Sequence, residues 1–171
     1  MEVGLDWNTI RLSPYDSRWQ VLYAEEACLL SSILSAFNIV IEHVGSTAVH
    51  GMPAKPIIDM VAAIDSLEQI EDIVQILSDH GYRCLGECGR PGRFFFVKGA
   101  QTNTTHHLHL VKKGSAYFQQ YILFRDYLRA NPAQALEYAK HKIHLAKKHR
   151  DDRHSYRIEK GAYIENLLLL K

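Results

Sequence analysis

The run PIIDMVAAI, residues 56–64, sets one carboxylate, Asp59, inside a stretch that is otherwise apolar on both strand faces. A strand apolar on both faces belongs at the centre of a sheet with a layer packed on each side. Side chains alternate along a strand, so Asp59 shares its face with Ile57, Val61 and Ala63, while Ile58, Met60, Ala62 and Ile64 point the other way. An ionised carboxylate there is costly unless it is paired or holds a metal. Two readings follow: Asp59 belongs to a site, or it is a structural partner of Lys55 or of a helix arginine.

The rest of the chain supplies the layers. Helical spacing of Trp19, Leu22, Tyr23, Ala27, Leu30 and Leu34 predicts a helix from about Arg18 to Phe37, capped by Asp16 or Ser17. NIVIEHV (38–44) reads as a strand, and a second helix is expected from an Asp65–Ser66 cap to about His80, closed by Gly81. RFFFVKG (93–99) and THHLHLV (105–111) read as two further strands, followed by helices over about 115–130, 132–149 and 153–170. The expected fold class is α+β: a small mixed β-sheet flanked by helices with a C-terminal helical layer, in a single domain over residues 1–171.

Charge is unevenly spread. Residues 1–90 carry 13 acids against 5 Lys/Arg, and residues 91–171 carry 15 Lys/Arg against 6 acids, although the whole chain is only +1. The excess gathers in KHKIHLAKKHRDDRHSYRIEK (140–160), which suits the wall of an anion site or a solvated helix face. Because no aromatic residues interleave a basic stripe, nucleic acid is not the expected partner. No stretch approaches the roughly 20 apolar residues of a membrane span. The first residues lack the apolar core of a secretory signal, and the odd set Cys28, Cys84 and Cys88 reads as ordinary thiols; a cytoplasmic protein is expected.

Three groups carry candidate chemistry. Gly45-Ser46-Thr47 offers a turn where bare N–H groups and two hydroxyls can meet phosphate, and Lys55, held extended before Pro56, adds a point charge. His107 and His109 share a strand face, so with Asp59 they form a candidate metal or acid–base set; the alternative is that they hydrogen-bond at a sheet surface. His43, Arg93, Arg125, Lys140, Tyr156 and Lys160 are candidate supporting residues, with Arg125 and Arg129 one helical turn apart as an anion clamp or a plain surface pair.

IEHVGSTAVHGMPAKPIIDM, GRFFFVK, THHLHLV, ILFRDYLRANP and YRIEKGAYI together resemble the GrpB-like family of the nucleotidyltransferase superfamily, over nearly the whole chain. The resemblance implies that Gly45-Ser46 is the phosphate element and that Asp59 is the first metal-binding carboxylate. It also implies that Lys140, Tyr156 and Lys160 close over a ligand. Val61 stands where that superfamily has its second acid, and His107 and His109 occupy the region of the third. One carboxylate is a poor pair of Mg²⁺ sites, whereas Asp59 with two histidines suits Mn²⁺, Fe²⁺ or Zn²⁺. The expected cofactor is thus a divalent metal, and the expected ligand a nucleotide or phosphorylated small molecule. Three functions are consistent with this: metal-dependent nucleotidyl transfer, a non-catalytic nucleotide-binding module, or an Asp/His metal-dependent hydrolase.

Overall fold

A computed structural model describes residues 3–169. Its elements run α1 (Arg18–Ile33), β1 (Val40–Val44), β2 (Ile58–Ile64), α2 (Ile70–Asp79), β3 (Tyr82–Cys84), β4 (Arg93–Ala100), β5 (Asn103–Lys112), α3 (Ala116–Ala130), α4 (Pro132–Lys148) and α5 (Arg153–Leu169), with short 3₁₀ turns at Ser35–Phe37 and Ser46–Ala48. The sheet order is β1-β2-β5-β4-β3, and only the β2–β5 pair is parallel. The sheet is therefore mixed, and β2 lies between β1 and β5, covered on both faces as its apolar pattern requires.

The faces separate as alternation dictates. Ile58, Met60, Ala62 and Ile64 join Trp19, Leu30 and Leu34 of the α1 region, Ile73 and Leu77 of α2, and Leu108 and Leu110 of β5 in one core. Val61, Ala63, Val44 and Val111 pack on the opposite side beneath Tyr117, Phe118, Tyr121 and Ile122 of α3. Val49 and Met52, in the loop between β1 and β2, bury themselves among Phe124, Leu128, Tyr138, Ala139 and Leu167, so this loop anchors the C-terminal helical layer. The N-terminal segment crosses the same end of the sheet as a strap. Leu5 bridges Thr104, Ser13 bridges Ala54, and Ile10 packs with Leu145 and Tyr156.

Two local expectations need correction, and one short strand has no counterpart in the sequence reading. The first helix ends at Ile33, and Ser35–Phe37 form a separate 3₁₀ turn. Asp65 does not cap α2: it accepts from Asn38 (2.8 Å) and pairs with Lys113 (3.0 Å), Ser66 Oγ takes the Glu68 N–H, and the helix begins only at Ile70. The edge strand β3 is three residues long, too short for any alternation to be visible.

Polar groups on the α1 face are satisfied locally. Glu26 accepts from Tyr82 Oη (2.9 Å) and from Lys98 Nζ (2.7 and 2.8 Å). His43 stacks on Tyr23 with ring centroids 4.6 Å apart; its Nδ1 donates to Gln20 Oε1 (3.3 Å), and its Nε2 lies 3.0 Å from Thr47 Oγ1. Burial pulls both His43 and His106 down to about 4, so both stay neutral in the fold while they protonate in the unfolded chain near their ordinary value of 6.5. The unfolded state then binds more protons below pH 6.5, and stability falls as pH drops from about 6.5 towards 4. The expected slope is about 1 kcal/mol per pH unit for each histidine. Urea midpoints measured between pH 7 and 4.5 check it, and His43→Gln should flatten the curve.

Candidate functional site

Every predicted phosphate residue lies at the end of the sheet where β1 finishes and β2 starts. The register pairs Val44 with Asp59, so the Gly45 turn passes directly over the Asp59 side chain. Gly45 has φ +70° and ψ −166°, a conformation open essentially to glycine alone. A Cβ built there would sit 2.7 Å from Asp59 Oδ2 and 3.0 Å from Asp59 Cβ. The glycine is required twice over, once by its backbone and once by the carboxylate lying against it.

The β2–β5 register puts Asp59 beside His107 and Val61 beside His109. His107 Nδ1 is 2.8 Å from Asp59 Oδ1, and since a carboxylate only accepts, the Nδ1 proton lies in this bond. His107 Nε2 is buried without a hydrogen-bond partner, under the edges of Trp7 and Phe95. Burial alone would raise the Asp59 carboxyl, but the His107 hydrogen bond and the charge of Lys160 hold it below its ordinary value. The Asp59 side chain nonetheless keeps 34% of its surface open, so it forms the floor of a recess that a solute can reach. His109 departs from this company. Its ring is sandwiched between Phe95 and Tyr121, each 4.8 Å away, and burial drives it down to about 3.

Around that floor stand cations. Lys55 lies 5.2 Å from the Tyr156 ring centre and Lys160 5.9 Å from the same ring, so both ammonium groups rest against Tyr156. Burial, with Arg153 and Lys160 nearby, lowers Lys55 to about 8; burial and Arg153 lower Lys160. Lys142 is 2% exposed and donates to Ser46 Oγ (2.8 Å) and to the Pro53 carbonyl (2.5 Å). Burial and Lys160 draw its ammonium well below the usual lysine range. Tyr138 reaches Ser46 from the same helix.

Several expected residues serve the frame instead. Thr47 is buried and its hydroxyl faces His43, away from the recess. Arg125 is held by Glu42 (2.5 Å), the His43 carbonyl (3.1 Å) and Asp126 (2.7 Å), pinning α3 to β1. Arg129 donates twice to the Ala48 carbonyl (3.0 and 2.8 Å) and so fixes the end of the Ser46–Ala48 turn. Arg93 shares the sheet face of Phe95 but pairs with Val111, four residues beyond His107 along β5, and binds the Glu87 carbonyl. Lys140 points to solvent and pairs with Glu137. The lysine of α4 that reaches the turn is Lys142, and its signal was periodicity: it stands four residues after Tyr138 and three before Leu145, both buried.

The donor set fails as a two-metal centre. Asp59 and His107 touch, His109 is held in its aromatic stack, and Val61 offers no oxygen. Among the described residues no three His, Cys, Asp or Glu side chains gather closely enough to hold an ion. Asp59 is left as the one carboxylate against a hard cation's need for several oxygens.

The GrpB protein family model matches residues 9–169. The chain belongs to the GrpB family. It is 34% identical to the glutamate-rich protein GrpB of Alkalihalophilus pseudofirmus over 170 residues, covering 97% of this chain and 98% of that one. It is 38% identical to the UPF0157 protein YqkA of Bacillus subtilis over 151 residues, covering 88% of this chain but spanning only 44% of that longer protein. The crystal structure of GrpB from Enterococcus faecalis superposes with TM-score 0.84 at 34% identity, over 91% of this chain and 93% of that one. A Cid1 poly(U) polymerase solved with MgGTP superposes with TM-score 0.55 at 13% identity, over 78% of this chain and 44% of that one. The fold of this family member is thus nucleotidyltransferase-like.

Gly45→Ala should cost about 2–3 kcal/mol of stability, since it combines a forbidden backbone conformation with overpacking against Asp59. Chemical denaturation measures it. The double variant Gly45→Ala/Asp59→Ala should recover part of the loss, because it removes the carboxylate that the new methyl meets most closely and leaves only the contact with the Cβ of residue 59.

Proposed function

We propose that the recess floored by Asp59 binds the phosphate of a nucleotide or of a phosphorylated small molecule, through Ser46, Lys55, Lys142 and Lys160. The observation that carries this reading is the charge imbalance: Lys55, Lys142, Lys160 and Arg153 surround one carboxylate, and each has its affinity for the proton lowered by burial or by another cation. An anion in the recess would relieve that repulsion and restore the charge that burial opposes. The nucleotidyltransferase-like fold supports a nucleotide as the phosphate carrier, but with one carboxylate the donor set supports binding better than metal-dependent transfer.

A second reading rests on the Asp59–His107 pair. A carboxylate that accepts from Nδ1 orients the imidazole and leaves Nε2 as a base, an arrangement suited to proton transfer on the bound ligand. Trp7 would have to swing aside for Nε2 to meet a substrate.

Titration of ATP without metal, followed by calorimetry and by the rise in melting temperature that mass action imposes, tests the reading. Lys160→Gln should weaken binding about tenfold, or about 1.4 kcal/mol. Asp59→Asn should strengthen metal-free binding several-fold, because it removes the one like charge facing the phosphate. Loss of binding in that variant would instead mean that a cation held by the carboxylate recruits the ligand. Absence of binding by every nucleotide and phosphate tried would overturn the proposal. Affinity should also fall as pH rises through about 8, where free Lys55 gives up its proton.

A further inference from the structure

Arg153 belongs to two surroundings at once. Its guanidinium lies 3.6 Å from the centre of the Trp7 ring, on the outer wall of the lysine corner. It also lines, with Asn8, His154 and Arg157, a recess of about 300 Å³ on the outer side. A larger recess of about 510 Å³ continues from Asn8 past Thr9 and Ile10 to Arg11 and Arg150, with Asp151 its one acid. Arg11 and Arg150 line the larger recess and Arg153 and Arg157 the smaller, the two adjoining at Asn8 to make one arginine-lined path, and among the described residues none of the four forms an ion pair with a carboxylate. Arg153 and Arg157 are close enough to repel each other.

This path has the chemistry of a phosphate track. Guanidinium groups grip phosphate oxygens in pairs, which the compact ammonium of lysine does not. Single-stranded nucleic acid asks in addition for free aromatic faces on which bases stack. The one aromatic ring at the path's entrance, Trp7, already carries Arg153 on its face. Neither recess is lined by Phe, Tyr or Trp, and the one ring in their linings is the imidazole of His154.

We infer that this groove is a second phosphate subsite, so that the ligand carries a chain of phosphates running from Lys55 and Lys160 past Arg153 to Arg157. The inference rests on the phosphate reading of the lysine corner and deepens it, naming a polyphosphate-bearing ligand in place of a monophosphate. Arg153, shared by both surroundings, is the joint between the two subsites.

Calorimetric titration of the full chain with inorganic orthophosphate and tripolyphosphate tests this. Tripolyphosphate should bind at least tenfold tighter than orthophosphate. Arg157→Gln, an exposed substitution that leaves the core untouched, should cost tripolyphosphate about tenfold and leave orthophosphate unchanged. Lys140→Gln removes the same charge from α4 outside the groove and should change neither. Equal weakening of tripolyphosphate by both variants would show a response to net charge alone and overturn the subsite, as would equal affinity for the two anions in the unaltered protein. A single-stranded oligonucleotide without terminal phosphates that binds as tightly as tripolyphosphate would reassign the groove to nucleic acid and overturn it too. Orthophosphate binding with a silent Arg157→Gln sinks the groove alone, whereas no binding of either anion sinks the lysine corner with it.

Discussion

The contact on which the whole end of the molecule depends is that of the Asp59 carboxylate against the bare backbone of Gly45. Because no side chain intervenes, the turn leaving β1 folds down onto the start of β2. That places Ser46 where Lys142 can reach it from α4, and Ala48 where Arg129 can reach it from α3. Two helices are thus hydrogen-bonded to one turn of the sheet. Move the turn outward by the width of a methyl group and both attachments lengthen together. Fold and recess have the same cause here.

A half-buried carboxylate beside half-buried and buried lysines would ordinarily relax into a salt bridge. Among the described residues Asp59 instead spends its close contact on His107, and the lysines rest on Tyr156, on Ser46 and on a carbonyl. Such an arrangement costs folding free energy, since desolvated charges are left incompletely compensated. Perturbed ionisable groups of this kind cluster at functional sites, which is where the proposed phosphate would offset them. The distribution along the chain agrees: the acidic first half contributes the floor, and the basic second half contributes most of the walls.

How much of this was legible in the sequence follows from periodicity. Alternation along PIIDMVAAI and THHLHLV correctly divides their side chains between two faces and sets Asp59, His107 and His109 on the same one. It cannot say which of them touch, because that depends on register and on the neighbouring strand; Phe95 of β4 and Tyr121 of α3 claim His109 for a stack that no one-dimensional pattern encodes. Helical spacing marks Lys142 as inward-facing, yet a lysine on an apolar face invites the assumption that it snorkels to solvent. Arg125 and Arg129 have the residue type and spacing of an anion clamp, but their partners are an acid and carbonyl oxygens about 80 residues away in sequence. Trp7 carries no signal, and Arg153 is marked only as one charge in the basic run 140–160, since their contact joins two distant stretches of sequence.

The recess draws its parts from widely separated stretches: the strap at residues 5–10, the turn and strand at 45–59, and the helices at 138–160. Contacts of such long sequence separation carry a loop-closure cost that shorter-range contacts do not. All five strands end by Lys112, so the sheet and the Gly45 turn are built from sequence that precedes Tyr156 and Lys160. Docking of α5 therefore brings Tyr156, Lys160 and Arg153 to the recess in one event. Because Leu167 and Tyr156 of the same helix also close two hydrophobic clusters, completion of the C-terminal core and acquisition of the charged recess are one and the same packing event.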